Sequence, residues 1–479
     1  MRHVHFIAIA GTGMGSLAGL LKSRGLEVTG SDSDVYPPMS TALEAWGIPV
    51  AKGFRPENCL SRRPDLVVIG NAVRADNPEA QAAIEAGLPY LSFPDALYQH
   101  AIQGKHSVVV AGTHGKTTTG SIIATLLFET GRDPSMLVGG ITANFEGSFR
   151  DGAGPDFVVE GDEYDTAFFD KTPKFLHYHA QTLVITSVEF DHADIYRDLG
   201  QVKDEFRKLV QSMPADGAVI AAVEEPNVAD VVAGSPCRVI GYAVDGDGDA
   251  EVRGRALRAS GTATRFELVR DGAVVARPEA PFHGRHNVAN ALAAIAVLES
   301  RGVPIGEIVA ALPRYQGVKR RQEVRGEAGG VTVIDDFAHH PTAVRETLVA
   351  MRARYPGRRL IAVFEPRSNT SRRTVFQNDY ARAFGDADHV VVAEVQETPI
   401  YSATGEVTER FSAQRLASDL RAQGGEAVAI DGVDAIVDHL FGVHAPGDVI
   451  ITLSNGAFGA IWDKLLDRLG AVALETDPV

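Results

Sequence analysis

Residues 111–119 read Ala-Gly-Thr-His-Gly-Lys-Thr-Thr-Thr and follow directly on the β-branched run Val108-Val109-Val110. A buried-type strand, a glycine turn and a helix-compatible stretch make a phosphate-binding loop, because the turn and the helix N-terminus aim backbone N–H groups at an anion. Such a loop belongs at the C-terminal end of a strand in a parallel sheet flanked by helices, so it constrains the fold of everything around it. The strict pattern asks for a glycine five residues before the Gly-Lys pair; Val110 stands there, and the loop is a shortened form. Backbone groups from Gly112 through Thr113, His114 and Gly115 to Lys116 are expected around the phosphates, Lys116 on the β- and γ-oxygens, Thr117 on Mg2+ and Thr118 in the first helical turn. ATP with Mg2+ is the ligand this implies.

The same alternation of short β-branched runs and longer helical patterns recurs along the chain, at residues 4–10, 66–69, 183–185 and 360–364. At 479 residues the chain exceeds what one core supports, and three series are visible: 1–105, 106–316 and 317–479, the last boundary at Pro313-Arg314-Tyr315-Gln316-Gly317. Between about Arg238 and Pro281 the pattern becomes alternating strands with glycine turns at Gly246-Asp247-Gly248 and Asp271-Gly272, which predicts antiparallel hairpins within the middle domain. The expected class is α/β with three domains: a Rossmann-like N-terminal domain, a central phosphate-loop parallel sheet with a small antiparallel insertion, and a Rossmann-like C-terminal domain. A frayed tail is expected from Ala471.

A net charge of −16 argues against a nucleic-acid partner, so phosphate-bearing ligands must be met by local groups. Cys59 and Cys237 are too few for a disulfide framework and fit a reducing cytoplasm. Arg2 before an apolar run imitates a short export signal, but that run is one strand long and enters a glycine loop. No apolar run reaches the roughly 20 residues of a membrane span.

That first loop is Gly11-Thr12-Gly13-Met14-Gly15-Ser16, with Asp32 after a second strand: a dinucleotide-type fingerprint with serine in the last glycine position. It suits NAD, FAD or a nucleotide sugar, and Asp32 suits either a ribose or a cap on the next segment. Beyond the phosphate loop, two acidic clusters follow strands, Glu160-Gly161-Asp162-Glu163-Tyr164-Asp165 and Glu189-Phe190-Asp191-His192-Ala193-Asp194, where carboxylates can hold Mg2+. Asn287 and Asn290 open an Ala-rich helix three residues apart, on one face, where they can read an adenine edge; Asn287 serves equally well as a cap.

Taken in order, Gly-Thr-His-Gly-Lys-Thr-Thr, the Glu160 strand end, Asp191-His192, His286-Asn287-Val288-Ala289-Asn290, Arg321 and Asp335-Asp336 resemble the Mur ligases of peptidoglycan synthesis over nearly the whole chain. The wording of residues 158–171, 189–196, 335–342, 364–370 and 453–459 is most similar to the branch that joins L-alanyl-γ-D-glutamyl-meso-diaminopimelate, the murein tripeptide, to UDP-N-acetylmuramate during peptidoglycan recycling. The L-alanine-adding branch is the alternative. The resemblance implies an amide-forming ligase that activates a carboxylate as an acyl phosphate. It places UDP-N-acetylmuramate on Gly11 to Ser16 and metal on Thr117, Glu160 and His192. ATP falls to the phosphate loop, Asn287, Asn290, Arg321, Asp336 and His339. The peptide falls to Arg367, Ser368, Asn369, Ser454 and Asn455. Lys116, Glu160, His192 and Arg321 are the implied catalytic set. Several family members carry a carbamylated lysine after the His-containing segment, and the aligned position here is Arg207, with Lys203 and Lys208 out of register. Two other classes compete: a nicotinamide dehydrogenase built on the first domain, which leaves the phosphate loop unused, and a regulatory ATPase that joins nothing. Oligomeric state is left open.

Overall fold

The computed structural model describes the chain apart from residues 38, 247–249, 397, 401–404, 406, 408 and 476–479. Three main sheets follow one another. The first comprises β1 (His3–Ile7), β2 (Glu27–Asp32), β3 (Val50–Lys52), β4 (Leu66–Ile69) and β5 (Tyr90–Ser92), all parallel in the order β3-β2-β1-β4-β5. The run that imitates an export signal is thus the middle strand of a sheet, buried from Val4 to Ile7.

The central sheet is built on β6 (His106–Ala111), β7 (Ser135–Thr142), β8 (Gly147–Arg150) and β9 (Asp156–Gly161). After a separate two-stranded ribbon, β10 (Asp165–Ala167) and β11 (Asp170–Pro173), come β12 (Thr182–Ile185), β13 (Ala218–Ala222), β14 (Arg238–Val244), β15 (Val252–Ser260), β16 (Ala263–Arg270), β17 (Ala273–Ala276) and β18 (Glu279–Ala280). Its order is β17-β16-β15-β14-β13-β12-β6-β9-β7-β8, with β18 beside β16. The strand that feeds the phosphate loop therefore lies inside the sheet between β9 and β12, and both acidic clusters begin at the ends of its two neighbours. This is why Lys116 meets Glu163, 47 residues on, and Thr113 meets Glu189, 76 residues on.

The expected antiparallel insertion needs one correction. β14 continues the parallel sheet, and β15 pairs with it in parallel; antiparallel pairing begins only at β15 with β16 and continues to β17 through the Asp271-Gly272 turn. The glycine turn expected at Gly246-Asp247-Gly248 falls largely outside the described residues, and the strands on either side are not a hairpin.

The third sheet holds β19 (Glu323–Ala328), β20 (Val331–Asp336), β21 (Leu360–Phe364), β22 (His389–Ala393), β23 (Glu426–Ile430) and β24 (Val449–Leu453) in the order β19-β20-β24-β21-β22-β23, parallel except for β19. Its helices bury a separate apolar core on each face; the first sheet shares one core with the central sheet and buries a second, smaller one, around Ile7, Val67 and Ile69, on its other face. The last helix, Ile461–Glu475, runs past Ala471, so the tail is helical further than expected.

Candidate active site

β6 is buried throughout its apolar stretch, Val110 included, so the place of the missing glycine belongs to the sheet and the turn begins at Gly112. Gly112 has φ 131° and Gly115 φ 81°, both left-handed values. A Cβ at Gly112 would stand 2.1 Å from Thr186 Oγ1, and one at Gly115 2.6 Å from Asn290 Oδ1. Both positions therefore require glycine for conformation and for space. The N–H groups of Thr113 and His114 donate to Ser187 O (3.0 Å) and Ser187 Oγ (2.9 Å). They pin the loop to the segment after β12 instead of facing a phosphate. The N–H groups left without a helical acceptor are those at the start of the helix Lys116–Glu129, which has no side-chain cap.

Lys116 Nζ donates to Gly112 O (2.7 Å) and to Glu163 Oε2 (2.8 Å). Glu163 is 2% exposed, and its second oxygen lies 3.1 Å from His192 Nε2. Burial works against the charged forms of all three groups, and opposite charges overcome it: Glu163 raises Lys116, Lys116 and His192 lower Glu163, and Asp191 first and then Glu163 raise His192 to about 9. Glu163 is the central acid of the site, and sequence reasoning singled out Glu160 in the same cluster instead. The signal was present in the acidic run after β9, but the run alone does not say which carboxylate turns toward the lysine.

The three expected metal residues do not form one hydrogen-bonded group: Thr117 and Glu160 pair with each other, and His192 pairs with Glu163. Thr117 Oγ1 donates to Glu160 Oε2 (2.9 Å), which also accepts from Gly139 N (2.6 Å). This hydroxyl and carboxylate form an all-oxygen donor set that fits a hard cation such as Mg2+. His192, by contrast, faces Glu163 and packs its ring 4.2 Å from that of Tyr164. No lysine of the following helix, Leu199–Gln211, joins them: Lys203 pairs with Asp230, Lys208 with Glu205, and Arg207 with Asp204 and Asp230.

Thr117, Glu160, His192, Asn290, Arg321 and Asp336 all line one cleft of about 540 Å³. On its central wall, Asn287 donates back to His283 O (2.8 Å) and so does not cap its helix, Arg285–Ser300. Asn290 joins Asn287 (3.3 Å) and accepts from Thr119 Oγ1 (3.1 Å), which ties this helix to that of the phosphate loop. On the opposite wall Asp336 accepts from Gln322 N and Ala338 N, both at 2.8 Å, and holds the start of the third unit. Asp335 pairs with Arg320 at 3.0 Å, while the Arg321 guanidinium stacks 4.7 Å from the Phe337 ring centre and makes no ion pair among the described residues. His339 Nε2 stands 3.9 Å from Asp191 Oδ2.

His114, Glu189 and His340 also converge, with each imidazole 3.5 Å from Glu189 Oε2. Thr342 already occupies this group, its hydroxyl donating to Glu189 Oε2 (2.8 Å) and its N–H to His340 Nδ1 (3.2 Å). The cluster is accordingly a latch between the second and third units.

Other sequence expectations land differently. Gly11, Thr12, Gly13, Met14 and Gly15 form the start of the helix Thr12–Ser23, but none of these glycines has positive φ; the left-handed residue is Ala8, and a Cβ at Gly13 or Gly15 would press on Phe93 or Met39. Ser16 is wholly buried and bonds Thr12 O and Ser148 Oγ, both at 2.6 Å, so its hydroxyl serves the joint with the central sheet and not the open side of the loop. Asp32 accepts from Ala10 N and Ser33 N at 2.8 Å each, shaping the glycine turn. In the third unit Arg367 is half-exposed and Ser368 and Asn455 line the cleft. Ser454 is 1% exposed and bonds Glu365 and Gly456 N, so it supports the loop from within. Asn369 lies between Asp194 (3.1 Å) and Arg372 (3.1 Å).

Comparison with known proteins gives this arrangement a family. Residues 3–105 match the family described as Mur ligase family, catalytic domain; residues 110–298 match the Mur ligase middle domain, and residues 320–456 the Mur ligase, glutamate ligase domain. The UDP-N-acetylmuramate--L-alanyl-gamma-D-glutamyl-meso-2,6-diaminoheptandioate ligase of Escherichia coli (strain K12) is 40% identical over 475 residues, 98% of this chain and 99% of that one. The chain belongs to the Mur ligase family. Mur ligases are ATP-dependent enzymes that form amide bonds, and this chain is one of them. It is also 38% identical to the UDP-N-acetylmuramate--L-alanine ligase of Salinibacter ruber (strain DSM 13855 / M31), over 100% of this chain and 98% of the other. A crystal structure of a murein peptide ligase from Psychrobacter arcticus 273-4 matches with TM-score 0.73 at 34% identity, covering 98% of this chain and 99% of that chain. Among the described residues, no helix is long and apolar enough to cross a membrane.

Proposed function

We propose that this Mur ligase joins UDP-N-acetylmuramate to L-alanyl-γ-D-glutamyl-meso-diaminopimelate, converting ATP to ADP and phosphate, in the recycling of peptidoglycan. The observation that carries the reading is the single cleft onto which the Lys116 loop, the Glu160 and Asp162 strand end and the Ser368 and Asn455 loops of the third unit all open. Similarity at 40% identity over 98% of the chain supports the tripeptide as the acceptor.

In this reading the glycine turn from Gly11 to Gly15, shaped by Asp32, faces the diphosphate of the UDP-sugar. The helix N-terminus at Lys116 and the Lys116 ammonium hold the ATP phosphates, and Asn287, Asn290, Asp336 and His339 border the nucleotide. A carboxylate oxygen of the sugar attacks the γ-phosphorus, the bond to the β-phosphate oxygen breaks, and ADP leaves. Mg2+, held by Thr117 and Glu160, would neutralise charge between the two anionic reactants when bound. The peptide amine then attacks the acyl phosphate, losing a proton, and the tetrahedral adduct expels phosphate to leave the amide. Lys116 draws negative charge off the transferring group, and Arg321, free of an ion pair among the described residues, supplies a second positive charge from the third unit. His192, raised to about 9 and bonded to Glu163, acts as a fixed positive partner of that carboxylate in the metal-free protein and not as a base.

Isotope transfer tests the reading. With both carboxylate oxygens of the sugar labelled with 18O, one label should appear in the released phosphate for each amide formed; a displaced label found in water, with none in the phosphate, would reject the acyl phosphate.

A further inference from the structure

A second cavity, of about 570 Å³, opens where the helix Arg285–Ser300 begins, along the connector from Tyr315 to Val324 and against the end of the helix Pro341–Arg354. Thr118, Asn287, Arg321 and Gln322 line both this cavity and the phosphate-loop cleft, and so form a common wall between the two. Its charge is opposite to that of the chain, which carries −16. Lys319, Arg321 and Arg354 all line it, and none of them makes an ion pair among the described residues. Arg354 reaches only Gln322 O, at 3.4 Å, and stacks 5.2 Å from the Tyr355 ring centre. The one carboxylate on the wall, Glu323, is engaged elsewhere: it accepts from Arg320 N (2.8 Å) and faces Arg325 Nη1 (3.7 Å).

His283, on the same wall, is an independent sign of a ligand. It is 2% exposed, and neither of its ring nitrogens has a hydrogen-bond partner among the described residues; the Gly261 backbone comes near without bonding geometry. Buried polar side chains are nearly always bonded, and an exception points to a missing partner. Burial, and then the charge of Arg354, lower His283 to about 4, so it is a neutral imidazole with one N–H to give. A free imidazole N–H beside an unpaired guanidinium and an ammonium fits a small anion with several acceptor oxygens. The ligase reaction makes such an anion beside Arg321. We infer that this cavity is a second phosphate site, separate from the seat of the ATP phosphates, where Lys319, Arg354 and His283 receive the phosphate released past Arg321. Phosphate held there is drawn away from the new amide. The source of the phosphate rests on the ligase reading above; its binding does not.

Inorganic phosphate is the probe. Titrated by calorimetry into the full chain saturated with a non-hydrolysable ATP analogue and Mg2+, which fill the phosphate-loop site, it should bind one to one with Kd on the order of 0.1 mM. Arg354→Met and Lys319→Met should each weaken binding roughly 10- to 100-fold, the loss of a charge-assisted hydrogen bond, and His283→Leu roughly 3- to 10-fold. Lys319 is exposed, so its variant remains the test if the other two do not fold. In the ligase assay, added phosphate should inhibit the wild type even at saturating ATP. Arg354→Met should escape that inhibition while its KM for ATP stays within about 2-fold of wild type. No binding in the presence of the analogue, or equal binding by wild type and variants, which means an adventitious ion only, would overturn the site. Inhibition that saturating ATP abolishes would overturn the link to product release, because it assigns the ion to the ATP site. Absence of amide from the wild-type protein would reject the ligase reading instead, and the calorimetric result would still decide the site.

Discussion

Replacing Glu163 by glutamine leaves Lys116 and His192 facing each other without the carboxylate that separates them. The side chains of Glu163, Lys116 and His192 are 3%, 13% and 16% exposed, so solvent screens little of the change. Removing one partner of a buried ion pair costs about 3–5 kcal/mol, and the amide oxygen retained by glutamine places this case near the lower end, about 3 kcal/mol. For a folding unit of the size of the central sheet and its helices, that corresponds to a fall in Tm of roughly 6–12 °C. The ATP phosphates replace the missing negative charge at Lys116, so saturating ATP analogue with Mg2+ should restore most of the loss. Differential scanning calorimetry with and without the analogue reads both quantities. Removing Lys116 as well, by Lys116→Met in the Glu163→Gln background, should regain part of the stability because one unpaired cation is gone. A fall below about 2 °C without nucleotide, or an equal fall with it, would refute the assignment of Glu163 as the counter-ion of the site.

Gly112→Ala places a Cβ against Thr186 Oγ1 and Ser187 at a backbone φ of 131°, so ATP binding measured by calorimetry should be lost while the circular dichroism spectrum is kept. Lys116→Ala should lower kcat/KM by at least about 100-fold with little change in fold, read by coupled ADP release. His192 supplies a pH test: burial opposes its charge, but Asp191 and Glu163 raise it to about 9, above its unfolded value. Its contribution to metal-free stability is therefore full below about pH 6.5 and is lost as pH rises through 9, so Tm in EDTA should fall over that window more steeply in the wild type than in His192→Gln.

The fold was legible wherever one local pattern implies one global arrangement. A β-branched strand running into Gly-Thr-His-Gly-Lys has few alternatives, and the ends of the neighbouring strands could be found from their acidic runs. Pairing direction was not legible at β14 and β15, because glycine turns between alternating strands look alike whether the chain folds back or crosses over. Glu163 escaped for a related reason: four carboxylates stand within six residues, 160–165, at the end of β9, and only the tertiary placement of Lys116 distinguishes them. Ser16 and Ser454 look like loop hydroxyls in sequence but are buried in joints, Ser16 against Ser148 and Ser454 against Glu365. The hydrogen bonds of Thr370 and Arg373 to the backbone of Ala193 were beyond sequence altogether, since they join residues 177 and 180 positions apart through side chain and backbone.

The most direct test of the central claim is to supply ATP, Mg2+ and UDP-N-acetylmuramate with equal concentrations of L-alanine and L-alanyl-γ-D-glutamyl-meso-diaminopimelate and to weigh the product by mass spectrometry. The account predicts the tripeptide adduct, formed one for one with ADP and phosphate. An L-alanine adduct alone, or ADP released without any adduct, would contradict it.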